Sequence, residues 1–442
     1  MSIDKVRLRA VREDDLPNFI EWLSDPEVVQ YTSAEARVRT MEEERQWFAS
    51  VTAPDFRGKQ WAIEVARQDA AIPARQDSQA GLGSAGRHIG TCSLDWAQAK
   101  QVGSFGIIIG DKTAWDKGYG TAALLEVLSY GFEEAELSRI FLDVFAGNFR
   151  AMRCYEKCGL RYEGTQRQSF FKRGKWVDVN RMAILLPEWK ARQRGLAPSV
   201  EEWWHCLVAL RPVSGEIIVD AGCRGARGSM LIAPYVEPEG KIIGFDTNAD
   251  AIEKAVADIA SKGLEEIISA QVGDIRALPL EDNSADAWFC REVLEYLHDP
   301  EVALREAVRV VKPRGRVVAM EADWDTLAYN ATNKELERKF VAVHTDCGGG
   351  GSLDGRTGRK LLSLFRESGL EEVTLQAHVR WSDGYSPEAD YLCRPLGQGV
   401  VNRGCFSQEE LDAFYADLSA QAQKGRYFHC YSYFICSGRV VK

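Results

Sequence analysis

Three aspartates in the second half of this 442-residue chain each stand at or just after the end of an apolar run. Asp220 closes "EIIVD", Asp246 closes "KIIGFD" and Asp274 follows "ISAQVG". In a parallel, doubly wound sheet, strand ends of this kind meet at one edge, and ligands bind in the crevice there. A carboxylate at such an edge can accept hydrogen bonds from both hydroxyls of a ribose. This spacing predicts a site for a nucleotide-like cofactor.

The glycine-rich stretch "VDAGCRGARG" begins at the first of these strand ends and departs from the usual loop. Gly222 stands where a cofactor-binding loop needs a glycine, but Arg224 occupies the next glycine position. If that position requires a positive φ, the arginine costs about 1–2 kcal/mol. One interpretation is that the loop shifts so that Gly225 approaches the cofactor. The other is that this half has lost its cofactor and serves as a scaffold. We expect retained binding, because Asp246 and Asp274 are present.

A second glycine loop, in "GDKTAWDKGYGTAALLEVL", places Gly118 and Gly120 just before a predicted helix. Small residues let the backbone close on a ligand, and the free N–H groups of a helix start favour an anion such as pyrophosphate. Downstream, "LDVFAGNFRAMRCYEKCG" places Asn148 between a strand and a helix that carries Tyr155. A tyrosine, with an ordinary pKa near ~10, stays protonated at neutral pH and can act as a proton donor.

The elements around these loops predict an α/β chain of two domains. Strand-like and helix-like segments alternate up to "PEWKARQRGLAPS", where proline, glycine and charged residues interrupt the pattern. A regular strand–helix alternation follows, which favours a parallel, doubly wound sheet. We therefore predict a first domain over residues 1–190, a linker over 191–200 and a second domain over 201–442. The stretch "RQDAAIPARQDSQAGLGSAGR", residues 67–87, is interpreted as a mobile excursion of a hairpin.

The composition argues against several classes of function. The chain has 55 basic and 65 acidic residues, a net charge of −10, which argues against a general binder of nucleic acid or anionic membranes. No apolar run approaches the ~20 residues that cross a bilayer, and the start has no signal-peptide core. The eleven cysteines are irregularly spaced, so we expect buried thiols in a cytoplasmic protein and no metal site.

The first half resembles the GNAT acetyltransferase superfamily over about residues 5–190, most nearly the branch of ribosomal-protein and spermidine acetyltransferases. The resemblance implies that the loop from Asp116 to Thr121 cradles the pyrophosphate of coenzyme A and that the strand from Phe105 to Ile109 lines its pantetheine. Asn148 and Tyr155 match a coenzyme-facing asparagine and the proton donor, and are the expected catalytic residues. Trp115 departs from the glutamine or arginine of many members. The expected coenzyme-binding residues are Ile107, Ile109, Lys117, Gly118, Tyr119, Gly120 and Thr121.

The second half resembles the class I S-adenosylmethionine-dependent methyltransferases from about residue 198 to the end of the chain. The resemblance implies a Rossmann-like fold, with Asp246 at the ribose and Asp274 at the adenine amino group. The family's loop reads D-x-G-x-G-x-G, from which Arg224 and Ala226 depart. The expected cofactor-binding residues of this half are Asp220, Gly222, Gly225, Asp246, Asp274, Ile275 and Arg291.

Together these patterns predict a bifunctional enzyme that uses acetyl-coenzyme A and S-adenosylmethionine, acting on a small amine-bearing metabolite. No partner nucleic acid or membrane is expected, and a homodimer is left open. Asp95, Asp143 and Glu64 are candidates for the base that deprotonates the amine, as is a chain of water molecules. Two alternatives remain: an acetyltransferase whose methyltransferase-like half only binds or dimerises, and an enzyme that acetylates protein N-termini.

Overall fold

The computed structural model divides into two compact units, Met1–Gly195 and Leu196–Lys442. The predicted linker, residues 191–200, contains this division. All but the last two residues of the predicted hairpin excursion lie outside the described part of the chain. No helix among the described residues is both long and apolar enough to span a bilayer. The described residues are 6–53, 56–66, 86–97, 101–196, 201–346, 353–384, 401–402 and 404–441.

The first unit contains a seven-stranded sheet in the order β1-β2-β3-β4-β5-β7-β6. Its strands are β1 Arg7–Ala10, β2 Gly58–Ala66, β3 Gly86–Ala97, β4 Val102–Ile109, β5 Arg139–Phe145, β6 Arg161–Lys172 and β7 Lys175–Leu185. Its helices are α1 Leu16–Ser24, α2 Met41–Thr52, α3 Tyr119–Ser129, α4 Phe149–Cys158 and α5 Leu186–Gln193, with 3-10 turns at Glu13–Asp15 and Lys112–Ala114 and a π-helical turn at Tyr130–Glu134.

The pairing of β4 with β5 is the exception in an otherwise antiparallel sheet. These two strands are parallel, and they pair only over Val102–Ser104 and Arg139–Phe141. Beyond that point β4 continues its register with β3 up to Ile109, while β5 continues with β7 up to Phe145. The two strands therefore have no ladder between their carboxyl-terminal halves, and the sheet opens there.

Local sequence explains why the two helices beside this opening begin where they do. The side chain of Asn148 accepts a hydrogen bond from the backbone N–H of Ala151 and caps α4, a role that asparagine favours. The helix ends at Gly159, whose φ of 99° suits glycine best. Helix α3 starts at Gly118 and buries seven of its eleven residues in the core of the unit.

The second unit also contains a seven-stranded sheet, in the order β10-β9-β8-β11-β12-β14-β13. Its strands are β8 Ile217–Ala221, β9 Lys241–Asp246, β10 Ile268–Val272, β11 Ala285–Arg291, β12 Val311–Tyr329, β13 Leu370–Ser382 and β14 His429–Val440. Its helices are α6 Glu201–Leu210, α7 Arg227–Val236, α8 Ala249–Ser261, α9 Pro300–Val310, α10 Lys334–Asp346, α11 Thr357–Glu367 and α12 Gln408–Gln423, with a 3-10 turn at Leu294–Tyr296.

Strands β8 to β12 are parallel, as the strand–helix alternation predicts, and the α/β fold class is confirmed. Adjacent residues of β11 point to opposite faces: Trp288 packs in one apolar cluster and Phe289 in the other, so both faces of the sheet are covered. The sequence patterns give no direction for the last two strands. Strand β14 lies between β12 and β13 and runs antiparallel to both, because apolar periodicity places a strand but does not give its direction.

Candidate functional sites

The open edge of β4 presents backbone groups to the gap between β4 and β5. The N–H of Gly110 donates to the carbonyl of Ile89 on β3, 2.9 Å away. Because successive residues of a strand direct their backbone groups to opposite sides, Ile109 and Ile107 face the other edge, which β5 has left. Buried backbone groups need partners, so this edge suits an extended ligand that hydrogen-bonds along a strand.

The loop before α3 has the conformation that a phosphate-binding turn requires. Gly118 caps the helix with a φ of 82°, and Asp116 also has a positive φ, of 59°. At Gly120 the nearest atom to an added Cβ would be the Sγ of Cys154, at 3.7 Å. The backbone of the loop is therefore uncovered, and the free N–H groups at the start of α3 can receive an anion.

A cavity of about 1040 Å³ joins the open edge of β4 to this loop. Nearly all the residues predicted for this site come together around it, although they derive from four different elements. Lys117 is the exception, since its side chain is not part of the wall. The predicted residues that line the cavity are Ile107, Ile109, Gly118, Tyr119, Gly120, Thr121, Asn148 and Tyr155.

Tyr155 lies on α4 with 9% of its surface exposed, and its ring belongs to the core of the unit. Burial raises the pKa of its hydroxyl well above the usual value, because the phenolate would be poorly solvated there. The group therefore remains a proton donor at all ordinary pH values. Asn148 lines the same cavity, but its side-chain oxygen already accepts the hydrogen bond of the α4 cap, 3.2 Å from the N of Ala151.

Trp115, the departure from the usual pattern, closes one end of the open edge. Its indole N–H donates to the carbonyl of Ile109 at 2.8 Å, and the guanidinium of Arg150 lies 4.2 Å from its ring centroid. The tryptophan thus occupies one backbone acceptor of β4 and orders Arg150 beside the loop. A cation at this position complements a phosphate at the start of α3.

The three predicted bases have different surroundings. Asp143 lines the cavity but binds Arg181 through both oxygens, at 2.9 and 2.7 Å. Glu64 is buried in an ion pair with Arg9 and does not line the cavity. Asp95 is not part of the cavity wall either, and burial raises the pKa of its carboxyl.

In the second unit, every second residue of the glycine loop has a left-handed backbone conformation, at three positions in all. Gly222 has a φ of 77°, Arg224 of 46° and Ala226 of 52°. At Gly222 an added Cβ would lie 2.4 Å from a methyl group of Val293, so both conformation and space require glycine there. At Gly225 no atom lies within 4 Å of the same added Cβ, and the backbone is open.

The carboxylate of Asp246 holds this loop through two backbone N–H groups. One oxygen accepts from Arg224 at 2.9 Å, and the other accepts from Asn248 at 2.9 Å. Asp246 therefore orders the strained loop and remains at the edge of the sheet. Asp220 differs from it: its carboxyl is buried beneath α7 and accepts from the hydroxyl of Ser229 at 2.6 Å, and burial raises its pKa to about 6.

The remaining predicted residues of this site lie at the ends of β10 and β11. Asp274 binds the guanidinium of Arg276, which lowers the pKa of the carboxyl, and Ile275 is buried beside it. The guanidinium of Arg291 lies 4.5 Å from the ring centroid of Trp203 on α6. Of these, only Ile275 offers an apolar surface to a ring.

The model of the acetyltransferase (GNAT) domain family matches residues 5–161, and that of the methyltransferase domain family matches residues 212–369. Each match falls within one structural unit. The chain is a GNAT acetyltransferase domain followed by a methyltransferase domain. The resemblances and the fold class are thereby confirmed.

Several known proteins are similar to one or the other domain. A 37.1 kDa protein of transposon TN4556 from Streptomyces fradiae is 34% identical over 169 residues, which are 38% of this chain and 47% of that protein. The demethylmenaquinone methyltransferase of Desulfitobacterium hafniense is 36% identical over 107 residues, 24% of this chain and 42% of that enzyme. The chain thus spans about half the length, or less, of these curated relatives.

Solved structures are also similar to one or the other of the two domains. The spermidine N-acetyltransferase of Vibrio cholerae, solved with coenzyme A and spermine, has a TM-score of 0.35 and 23% identity, covering 41% of this chain and 96% of that one. A putative methyltransferase from Bacillus halodurans C-125 has a TM-score of 0.39 and 18% identity, covering 55% of this chain and all of that one (100%).

Acetyltransferase domains of this family use acetyl-coenzyme A, and methyltransferase domains use S-adenosylmethionine. The acetyltransferase domain fits acetyl-coenzyme A, because an open strand edge and a helix start with a left-handed glycine line the same cavity. The methyltransferase domain fits S-adenosylmethionine, because the backbone at Gly225 is uncovered and the carboxylate of Asp246 has lone pairs left that can accept from hydroxyl groups.

The sequence patterns do not predict two further groups of residues near these sites. In the acetyltransferase domain, Tyr31, Phe145 and Phe170 also line the cavity, and we call them the aromatic wall. They come from the segment after α1, the end of β5 and β6. No short motif connects positions so far apart.

Lys172 holds part of this wall in place. Its ammonium group is buried, and it donates to the carbonyl oxygens of Val29 at 2.7 Å, of Ala34 at 3.0 Å and also of Thr32. These carbonyls belong to the segment that carries Tyr31. The sequence gives one faint signal, a lysine next to two phenylalanines in "FFKRGKW".

In the methyltransferase domain, the missed residue is Glu321 on β12. It is fully buried, and one of its oxygens accepts from the N–H groups of Val293 at 3.0 Å and Leu294 at 2.8 Å. Glu321 thereby fixes the turn after β11, including the valine that packs against Gly222. Its neighbour Glu295, bonded to the indole of Trp324 at 2.8 Å, has a pKa raised to about 8 by burial.

Replacing Lys172 with methionine should loosen the segment that carries Tyr31. Three carbonyls would lose a buried donor, at a cost of about 1–3 kcal/mol for a group left unsatisfied. Hydrogen exchange of the backbone amides at residues 28–34 should then speed up about tenfold or more, while exchange in α3 stays unchanged. Lys175→Met, an exposed lysine on the same hairpin, is the matched control. Equal exchange in the two variants would show that Lys172 does not order this segment.

Gly222→Ala and Gly225→Ala should separate a structural from a ligand-facing glycine. Gly222→Ala introduces a side chain at positive φ against Val293, so the free energy of unfolding should fall by about 1–3 kcal/mol. The second meets open space and should change it by less than about 0.5 kcal/mol. Urea unfolding measures both. If Gly225→Ala also leaves the affinity for S-adenosylmethionine unchanged, the backbone of that residue does not approach the cofactor.

Proposed function

We propose that this chain is a bifunctional transferase that acetylates and methylates small amine-bearing metabolites. The acetyltransferase domain would transfer an acetyl group from acetyl-coenzyme A to an amine, and the methyltransferase domain would transfer a methyl group from S-adenosylmethionine. The observation that carries the proposal is the opening between β4 and β5, where the start of α3 and the Tyr155 side chain line one cavity. The presence of both domains in one chain supports a common substrate or pathway.

The acetyl half of the proposal follows from the roles that its residues can fill. Acetyl-coenzyme A, when bound, supplies an activated thioester. The amides of Ile107 and Ile109 would hold an extended donor along the strand edge, and the start of α3 would hold its phosphates. Tyr155 would give its phenolic proton to the departing sulfur, and its raised pKa keeps that proton available.

The amine itself must lose a proton before it attacks. Asp143 is the only one of the three predicted bases that lines the cavity, and both of its oxygens already accept hydrogen bonds from Arg181. Neutral polar side chains also face the cavity, among them Gln60, Thr91 and Ser93. These groups support the alternative of a water chain that carries the proton away.

The methyl half depends on alignment more than on acid or base chemistry. S-adenosylmethionine, when bound, supplies a methyl group on a sulfonium, and an in-line displacement needs mainly orientation and exclusion of water. The Asp246 carboxylate would accept from ribose hydroxyls, and the backbone at Gly225 would allow close approach. Retained binding despite Arg224 is consistent with the hydrogen bond from its backbone N–H to Asp246, which stabilises the left-handed turn.

Incubating the full chain with both donors and a library of amine metabolites tests the common-substrate idea. Mass spectrometry should find one compound that gains an acetyl and a methyl group. Modification of unrelated compounds by the two domains would separate the activities, and acetylation of peptide N-termini alone would favour the protein-modifying alternative.

Tyr155→Phe should lower kcat for acetyl transfer by about 10²–10⁴, the usual contribution of a positioned acid. The affinity for acetyl-coenzyme A should stay within about twofold, since the ring remains. In the wild type, the raised pKa predicts that kcat does not fall from tyrosine ionisation below about pH 10. Tyr162→Phe, an exposed tyrosine outside the cavity, is the control. An unchanged kcat in Tyr155→Phe would rule out the donor role.

Asp246→Asn should raise the dissociation constant for S-adenosylmethionine about 10- to 100-fold, because hydrogen bonds to a charged acceptor contribute about 1.5–3 kcal/mol. Titration calorimetry on the full chain measures it, and the affinity of the same variant for acetyl-coenzyme A serves as an internal control. Asp250→Asn, in the first turn of α8, controls for the lost charge. If the wild type takes up no S-adenosylmethionine at millimolar concentration, the methyltransferase domain is a scaffold.

A further inference from the structure

The acceptor end of the acetyltransferase cavity differs in chemistry from its donor end. The donor end consists of β4, the loop before α3 and the polar face of α4. The opposite end contains the aromatic wall, where the rings of Phe145 and Phe170 lie 5.3 Å apart. Val179 on β7 adds an aliphatic surface beside them. The polar residues Thr32, Ser33 and Ser169, next to these aromatic residues in sequence, line the cavity as well, so this end combines aromatic rings with neutral polar groups.

The carboxylates of the cavity wall are all occupied or lie at the donor end. Among the described lining residues they are Glu27, Asp116 and Asp143. Asp143 is bound by both oxygens to Arg181, and Glu27 accepts from Lys112 at 3.0 Å. Asp116 belongs to the loop before α3, where the phosphates would bind. A substrate with several positive charges would therefore compete with Arg181 for Asp143 and with Lys112 for Glu27.

A fixed positive charge stands behind the aromatic wall. The Nζ of Lys172 lies 5.4 Å from the ring centroid of Phe145, and its position is set by the three backbone carbonyls that it binds. Carbonyl oxygens carry no net charge, and the charged side chains that act on the ammonium are those of Glu35, which attracts it, and Arg173, which repels it. The ammonium would repel a second or third ammonium group that reached this end of the cavity.

From these observations we propose that the amine acceptor has an aromatic or apolar body and a single amino group, and is not a polyamine. The inference rests on the proposed acetyltransferase function and names its substrate class. The aromatic wall would bury the body of the substrate and remove its apolar surface from water.

Steady-state kinetics with the full chain and acetyl-coenzyme A test the proposal. Phenethylamine, tyramine and tryptamine represent the favoured class, while putrescine, spermidine and spermine represent the polyamines. Release of the coenzyme A thiol reports the rate. The kcat/KM of the best aromatic monoamine should exceed that of every polyamine at least tenfold. A polyamine that equals or exceeds the aromatic monoamines would overturn the proposal.

A matched pair of variants tests whether the aromatic wall determines the preference for aromatic monoamines. Phe170→Ala should lower kcat/KM for phenethylamine about tenfold or more, mainly through KM, and leave the affinity for acetyl-coenzyme A within about twofold. Phe171→Ala changes the next residue of β6, which is 55% exposed and lies outside the cavity, and should change neither quantity. Equal losses in the two variants, or none in either, would contradict a role for the aromatic wall.

Equilibrium binding distinguishes this proposal from the proposed function. Calorimetric titration of phenethylamine and of spermidine into the full chain saturated with coenzyme A does not depend on turnover. Preferential binding of phenethylamine without acetylation of any amine would support the pocket chemistry and refute the acetyltransferase function. Preferential binding of spermidine, or binding of neither amine, would refute the substrate class.

Discussion

The acetyltransferase domain depends on a backbone edge that the sheet itself leaves without a partner. Strands β4 and β5 pair over three residues and then separate, so the amides of Ile107 and Ile109 face a cavity and no neighbouring strand. Unpaired backbone groups away from water cost free energy comparable to a lost hydrogen bond, which makes this edge a binding surface. The helices α3 and α4 flank the gap and supply the left-handed Gly118 and the buried Tyr155. The other elements hold these parts in place.

The methyltransferase domain obtains a similar surface by a different route. Its sheet is complete at the corresponding strands, and the uncovered backbone comes from a turn with positive φ at Gly222, Arg224 and Ala226. Such a turn is costly for two of these three residue types. The carboxylate of Asp246 and the close packing of Gly222 against Val293 compensate for that cost locally. In both domains, therefore, backbone N–H groups make the predicted donor sites.

Two buried ionisable side chains of this chain hold loops in place. Lys172 binds three carbonyls of the segment after α1, and Glu321 binds two amides of the turn after β11. The buried ammonium of Lys172 fixes its loop more firmly than a neutral donor would, since hydrogen bonds to charges are about twice as strong, whereas burial raises the pKa of the Glu321 carboxyl well above its usual value. Neither residue needs to touch a substrate to affect selectivity. Each determines which side chains the loop presents.

The sequence by itself predicted the two families, the loops that would hold each donor, and the pairing of Asn148 with Tyr155 around one helix start. These features are local: a glycine, a cap or a strand end has its meaning within about ten residues of the chain. It also predicted five parallel strands of the second sheet, but the direction of β14 depends on pairing between segments over a hundred residues apart.

The tertiary structure alone decided which aromatic side chains line the cavity. Tyr31, Phe145 and Phe170 come together only because β6 returns beside the segment after α1, where Lys172 of β6 binds carbonyls that lie 138 to 143 residues away in sequence. Likewise, Asp220 and Asp246 look alike in sequence as strand-ending carboxylates. Folding buries the first beneath α7 and leaves the second at the edge of the sheet, because burial depends on which helix packs over each strand end.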